Sequence, residues 1–262
     1  MYICPVCRSE LTVHNKSYVC KNRHSFDIAA SGYVNLLTGS GKNHGDDPEM
    51  IAARRRFLQA GYYFPLCSAV VEECKKAAPS HLLDAGCGEG YYTKSVKTAL
   101  PDCVVCGLDV SKKAAEKAAK LGGLEICVAS AYRMPYADGT FDCVINVFSP
   151  LAAEEYSRVL KPNGTLILAV PRPDHLSELK AAVYDVVVTK ESKSDLLEGF
   201  ELKGAREIKY AMELDGAALS DLFTMTPYYH KTSEADRKKL KDKTGMSVTA
   251  SFAVLTYGVE KN

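Results

Sequence analysis

Leu82-Leu83-Asp84-Ala85-Gly86-Cys87-Gly88-Glu89-Gly90 is the stretch that decides the fold. A short apolar run ends in an acid and then breaks into three glycines at alternate positions. Glycine tolerates the positive φ of a sharp turn, and without a Cβ it lets backbone come close to a ligand. The run before the glycines is strand-like, and residues 92–100 after them read as a helix. Val104-Val105-Cys106-Gly107-Leu108-Asp109 is the next apolar run, and it ends in an acid about twenty residues on. In nucleotide-binding α/β domains an acid at that strand end accepts hydrogen bonds from ribose hydroxyls. A glycine loop alone is a weak signal; strand before, helix after and acid at the next strand end make it specific.

Outward from this loop, strands and helices alternate. Residues 49–60 and 64–77 read as helices, the first with its arginines outside, the second stopped before Pro79. Strands follow at 81–85, 104–109, 124–129, 141–148 and 165–170, with helices at 92–100, 112–121 and 152–160. Such alternation predicts an α/β domain with a parallel sheet and helices on both faces. Lys161-Pro162-Asn163-Gly164-Thr165 reads as a structural turn before the last of these strands. Beyond Ala182 the pattern weakens. Val186-Val187-Val188 and residues 252–257 read as late strands that complete the sheet, and 237–243 as a solvated basic helix.

A chain of 262 residues, 47% hydrophobic, can bury one large core with a small appendage. No apolar run has membrane-spanning length, and Met1-Tyr2-Ile3-Cys4-Pro5 lacks the basic-then-apolar form of a signal peptide. A cytoplasmic protein with no membrane partner is expected. Seven of the ten cysteines (Cys67, Cys74, Cys87, Cys103, Cys106, Cys127 and Cys143) are scattered in apolar or helical contexts, as free core thiols are. Cys103-x-x-Cys106 has no partner pair at metal-knuckle spacing and reads as core packing. The net charge of +1 announces no polyanion partner. The front section is locally basic, with Arg8, Lys16, Lys21, Arg23 and Lys42 against Glu10 and Asp27, then Arg54-Arg55-Arg56. That is either a basic surface or an ordinary solvated face.

The remaining cysteines have their own logic. Cys4, Cys7, Cys20 and His24 are spaced C-x2-C-x12-C-x3-H. Two close pairs a dozen residues apart close a tetrahedron of sulfur and nitrogen, which suits one structural Zn2+ with every ligand supplied by protein. Leu11-Thr12-Val13 and Ser17-Tyr18-Val19 read as two short strands turned at Asn15-Lys16. A ribbon this small needs a metal staple to fold. His14 competes for the fourth ligand position, but it lies inside the hairpin without a partner at knuckle spacing, so His24 is favoured. Residues 38–48 are rich in glycine and polar residues and read as a linker or active-site loop. The expected organisation is a zinc-binding ribbon over 1–38 and a cofactor-binding domain over 39–262.

The glycines lack the G-x-G-x-x-G spacing of a dinucleotide site and the Gly-Lys-Ser/Thr of a phosphate loop. The tract resembles motif I of the class I (Rossmann-like) methyltransferases. With the knuckle in front, the chain closely resembles the bacterial large-subunit (23S) rRNA guanine-N1 methyltransferases, the family that includes macrolide-resistance methylases of tylosin producers. The resemblance covers nearly the full length. It is carried by Cys4, Cys7, Cys20 and His24, by residues 32–37, by Ala53-Arg54-Arg55-Arg56-Phe57-Leu58 with Gly61-Tyr62-Tyr63, by 84–93 and 107–112, by 171–180, and by Met225-Thr226-Pro227. It implies S-adenosylmethionine as cofactor and S-adenosylhomocysteine as product. It places Asp84 and the Gly86, Gly88 and Gly90 backbone at the aminoacyl end and Asp109 at the ribose, with Tyr63, Glu89 and His175 also bordering the cofactor. Residues 129–136 resemble the segment that lines the adenine, where many relatives have an Asp at the position of Ser130.

Guanine N1 carries a proton, so methyl transfer needs that proton to leave and the nucleophile to stand in line with the sulfonium. The sequence assigns no general base. Asn146 and Phe148, at the end of the 141–148 strand, are candidates to polarise and stack the base; the alternative is a strand end packed on a helix. The ribbon and Arg54 to Arg56 either hold the backbone of 23S rRNA or, for the ribbon, mediate a homodimer. Two other functions compete: methyl transfer to a small molecule, and a non-catalytic RNA-binding protein on a relict cofactor fold.

Overall fold

The N-terminal cysteines frame a small antiparallel sheet. In the computed structural model, which describes residues 1–39, 48–184, 195–229, 232–241 and 243–260, β1 (Leu11–His14) and β2 (Ser17–Cys20) form the hairpin read from the sequence. Asn15 turns it with a φ of 55°. β3 (Ser25–Asp27) adds a third strand on β2, too short to have shown an alternating pattern. The chain then enters the large sheet. β4 (Val34–Asn35) runs parallel to β7 (Glu125–Val128), so part of the stretch read as ribbon and linker is a sheet edge. Tyr2 stacks on Tyr136, Ile3 N–H donates to Pro135 O at 2.9 Å, and Arg133 Nη2 donates to Pro5 O at 3.2 Å. These contacts seat the ribbon on the main body.

That body begins with α1 (Pro48–Gln59) and α2 (Phe64–Ala77). It continues through β5 (His81–Ala85), α3 (Tyr91–Ala99), β6 (Val104–Asp109), α4 (Lys112–Ala119), β7, β8 (Phe141–Val147), α5 (Ala153–Val159) and β9 (Leu160–Pro171). Each lies within two residues of its sequence-derived bounds except β9, which starts earlier. Leu160 pairs with Phe141 and Thr165 with Cys143, so Lys161–Gly164 bulges out between them, turned by Asn163 at a φ of 73°. α6 (Ser177–Val183), β10 (Phe200–Asp215), α7 (Gly216–Thr224), α8 (Glu234–Lys241) and β11 (Gly245–Val259) complete the fold. The strand expected at 186–188 lies outside the described residues. The one expected at 252–257 is the second half of β11, and the basic helix expected at 237–243 is α8, which starts at Glu234.

The large sheet has the order β10-β11-β9-β8-β5-β6-β7-β4. The expectation of parallel strands holds from β4 to β9. β11, however, is antiparallel to both β9 and β10, the chain returning from β10 through α7 and α8 to insert it between them. Strand order reverses between β5 and β8, and a crevice opens there at the carboxyl ends of the strands, where ligands of such sheets bind. Both faces are covered. Leu82 packs with Val96, Val105 and Ile145 on one side, and Leu83 with Cys106, Val144 and Tyr156 on the other. Burying each contributes about 1.5–3 kcal/mol. Cys103 and Cys106 go to opposite faces as buried free thiols, as core packing requires. Among the described residues no helix is long and apolar enough to cross a membrane.

Candidate active site and metal centre

The glycine loop folds back onto the end of β6. Gly86 and Cys87 N–H both donate to Leu108 O at 2.9 Å. Gly86, Gly88 and Gly90 have φ values of 92°, 54° and 84°, which L side chains rarely adopt. A Cβ on Gly86 would lie 2.0 Å from Ser149 Oγ, whereas one on Gly88 would meet nothing within 4 Å. The first glycine therefore lets β5 and the end of β8 approach each other, and the second leaves room over the loop. Asp109 spans it: Oδ2 accepts from Gly88 N–H at 2.9 Å and Oδ1 from Ser111 N–H at 2.7 Å. A carboxylate acceptor at the rim of the loop and the open space over Gly88 both fit the hydroxyls of a nucleoside.

The loop is one wall of a cleft of about 2600 Å³. Tyr63, Gly86, Gly88, Glu89, Gly90, Asp109, Asn146, Phe148 and His175 all line it. Asp84 does not. It is buried beneath the loop, where its Oδ2 accepts from Thr93 Oγ1 at 2.6 Å, and burial pushes its carboxyl up to about 7. Glu89 reaches sideways to Lys117 Nζ at 2.6 Å, tying the loop to α4. Ser130 lines the cleft, and its Oγ accepts from Tyr132 N–H at 3.2 Å, pinning the turn after β7.

The facing wall is aromatic. Phe148 sits just past β8 with a φ of 58°, a strained value for a side chain of its size, and is 45% exposed. Tyr63 and Phe252 pack on it at 6.3 and 5.5 Å between centroids, and His175 lies 4.4 Å from Phe252. His175 Nδ1 accepts from Ser251 N–H at 3.2 Å, which assigns the proton of the neutral ring to Nε2, 3.4 Å from Tyr63 Oη. Burial, helped by the charge of Lys180, holds His175 down at about 3, so it stays neutral. Burial also raises the Tyr63 phenol. Both amide hydrogens of Asn146 are taken: Nδ2 donates to Tyr156 Oη at 2.6 Å and Pro150 O at 3.1 Å, and Oδ1 accepts from Ser149 N–H at 3.2 Å. It shapes the loop that presents Phe148. Lys180 and Tyr228 also line the cleft; neither has a role legible in the sequence, Lys180 only closing the 171–180 stretch, because a lysine and a tyrosine in weakly periodic segments carry no spacing signal.

Of the three front arginines, Arg56 is bound bidentately by Asp221 of α7, with Nε and Nη2 contacts of 2.9 and 2.5 Å. Arg54 and Arg55 line the cleft.

The four knuckle residues converge. Their ligand atoms lie within 4.8 Å of one another. Cys7 and Cys20 Sγ are 3.7 Å apart, and His24 Nδ1 is 3.4 Å from both Cys4 and Cys20 Sγ. A tetrahedral Zn2+ with ordinary bond lengths needs about 3.8 Å between sulfurs and about 3.6 Å from sulfur to nitrogen. The site therefore fits that ion, with His24 as fourth ligand and His14 outside the cluster. Hydrogen bonds from the Ser9 hydroxyl and backbone bring the Cys7 thiol down to about 5, favouring the thiolate a metal requires.

The strand order, with the glycine loop and Asp109 at its switch point, is that of a class I S-adenosylmethionine-dependent methyltransferase, here carrying a zinc ribbon. The zinc-ribbon family model described as RlmA, N-terminal matches residues 2–43, and the methyltransferase domain model matches 83–168. The chain is 34% identical to a putative 23S rRNA (guanine-N(1)-)-methyltransferase of Micromonospora griseorubida, over 88% of each chain, and 32% identical to the 23S rRNA (guanine(748)-N(1))-methyltransferase of Streptomyces fradiae, over 96% of this chain and 95% of that protein. The chain belongs to the 23S rRNA (guanine-N1)-methyltransferase family. Among solved structures, the YcgJ protein of Bacillus subtilis shares the fold, with a TM-score of 0.51 at 17% identity over 75% of this chain and 98% of that one.

Proposed function

We propose that the protein transfers the methyl group of S-adenosylmethionine to N1 of a guanine in a hairpin of 23S rRNA, in the cytoplasm. The observation that carries this reading is the presentation of the strained, exposed Phe148 across one cleft from the glycine loop and Asp109. A flat, stackable surface opposite a nucleoside cradle suits a nucleobase acceptor. When bound, the cofactor supplies an electrophilic methyl on a sulfonium. The chain's own residues do the rest. Asp109 accepts from the ribose hydroxyls, and the Gly86, Gly88 and Gly90 backbone borders the aminoacyl end, with Asp84 supporting the loop from below. Ser130 and its neighbours line the adenine. Tyr63, Glu89 and His175 complete the cofactor border. Phe148 stacks on the acceptor base, held in place by Asn146. N1 lies on the Watson–Crick edge, so the guanine must leave any pairing partner before it enters.

Residues 1–38 form the zinc ribbon and 39–262 the catalytic domain in this proposal. Arg54, Arg55 and the ribbon hold the RNA backbone, with guanidinium groups on phosphates. The ribbon's firm seat on the catalytic body, through Tyr2, Ile3 and Pro5, favours RNA-holding over a separate dimerisation module. The test is transfer of labelled methyl from S-adenosylmethionine to 23S rRNA hairpins and to a panel of small acceptors. Label in the rRNA alone is expected. Label in a small acceptor and none in rRNA would assign a small-molecule methyltransferase, and failure to bind the cofactor in calorimetry would assign a non-catalytic RNA-binding protein.

A further inference from the structure

A cation on the aromatic side of the cleft has no ion-pair partner among the described residues. Lys180, on α6, lines the same cavity as Phe148 and His175, and its ammonium lies 5.9 Å from the centroid of the Tyr228 ring. Among the described residues no carboxylate forms an ion pair with it. Of the acids close to it in the sequence, Asp174 is taken by Lys209 Nζ at 2.8 Å, and Glu178 is bound by Thr249 Oγ1 at 2.6 Å. A half-buried ammonium without an ion-pair partner is costly, and burial lowers its pKa against the opposing charge of Asp174. Such a group is poised for a ligand that brings negative charge.

Its place in the sheet indicates which ligand. The nucleoside-type contacts belong to β5, β6 and the turn after β7. α6 packs on β11, on the other side of the strand reversal, where Phe148 and Tyr228 offer ring faces. We propose that Lys180 is a catalytic residue that donates a hydrogen bond to O6 of the acceptor guanine and stabilises the negative charge that builds on its N1–C6–O6 amide. In the step, the N1 proton passes to solvent water. The N1 electron pair forms the N1–CH3 bond, the S–CH3 bond breaks, and its electrons stay on sulfur as a thioether. Lys180 keeps its proton throughout. This inference rests on the guanine-N1 reading above and adds the residue that makes a poor nucleophile competent.

A pH signature follows, because favouring the anionic amide lowers the pH at which N1 becomes reactive. The groups facing Lys180 do not obscure it. His175 is held neutral and Asp174 is held low by Lys209. Glu178 also lies below the ordinary carboxylate range despite its burial, through Thr249, and burial raises the Tyr228 phenol. From α8, Lys239 is paired with Asp236 and donates to Val183 O, while Tyr184 bonds Thr232.

The test uses full-length Lys180→Met and Lys180→Arg proteins with saturating S-adenosylmethionine and a transcribed 23S hairpin, over roughly pH 6 to 9. Lys180→Met is expected to lower kcat about 100-fold and to displace the rise of kcat to higher pH, with Lys180→Arg recovering part of the loss. The Kd for S-adenosylmethionine in calorimetry and for RNA in fluorescence anisotropy should stay within about threefold of wild type. A loss confined to cofactor Kd would make Lys180 a carboxylate anchor. A loss confined to RNA affinity, with an unmoved kcat–pH profile, would make it a phosphate contact. Either result overturns the inference. Absence of 1-methylguanosine from the wild-type reaction overturns the parent reading, and this one with it.

Discussion

Gly86→Ala is the most informative single change, because two separable penalties meet there. The backbone φ of 92° costs a side-chain-bearing residue about 1–2 kcal/mol. The new methyl would sit 2.0 Å from Ser149 Oγ and 2.5 Å from Ser149 Cβ. The hydroxyl can rotate away; the Cβ cannot, so backbone must move, at about 1–3 kcal/mol for an overpacked site. The sum is about 2–5 kcal/mol, divided between a less stable fold and a displaced loop. At roughly 2–4 °C per kcal/mol, a melting point several degrees lower is expected in differential scanning calorimetry. A loop displacement of even 1.4 kcal/mol weakens cofactor binding about tenfold in titration calorimetry. Adding Ser149→Gly should return the steric share and leave the φ share. Gly88→Ala, with no protein atom within 4 Å of its new methyl, should cost less stability yet still lose cofactor affinity, because the methyl enters the cleft. Wild-type melting and wild-type affinity in Gly86→Ala would refute this account of the loop.

Four other predictions concern the metal, pH and the front arginines. Cys20→Ser should release one equivalent of zinc by metal analysis, and it should weaken rRNA binding far more than S-adenosylmethionine binding. Asp84 has a folded pKa of about 7 against an ordinary 3.8, so its contribution is fully present below about pH 4 and is lost as pH rises through 7. Asp84→Asn, which keeps an acceptor for Thr93, should therefore raise the melting point at pH 8 but not at pH 4. His175 has the opposite sign: its folded pKa of about 3 lies below 6.5, so stability falls as pH drops from 6.5 towards 3, and His175→Phe should flatten that acid limb in a pH series of melts. Arg56→Ala, breaking an exposed bridge to Asp221, should cost less than about 1 kcal/mol in denaturant melts and leave RNA affinity near wild type, whereas Arg55→Ala should weaken RNA binding and reduce its salt dependence.

The central half of the fold was legible because its strands are buried on both faces and read as continuous apolar runs bounded by turns. The edges were not. β10 is exposed along most of its sixteen residues and carries charges such as Lys203, Arg206 and Lys209, so it has no buried stripe to detect. β3 and β4 have three and two residues, below the length at which a period exists. The zinc ligands were legible from spacing alone, since a knuckle is a local constraint. The cleft was legible only in part. Asp109 and the glycines follow a fixed offset from strand ends, but the roles of Asn146 and Asp84 depend on partners far along the chain. Tyr156 and Pro150 consume the Asn146 amide, and Thr93 takes Asp84 beneath the loop. Lys180 stands out only once the acids around it are seen to be paired with other groups.

The central claim is tested most directly by mass spectrometry of nucleosides from 23S rRNA incubated with the purified protein and methyl-labelled S-adenosylmethionine. Label in 1-methylguanosine, confined to one hairpin, is the expected result. Label in another methylated nucleoside, or rRNA that stays unlabelled while the protein binds its cofactor, would contradict it.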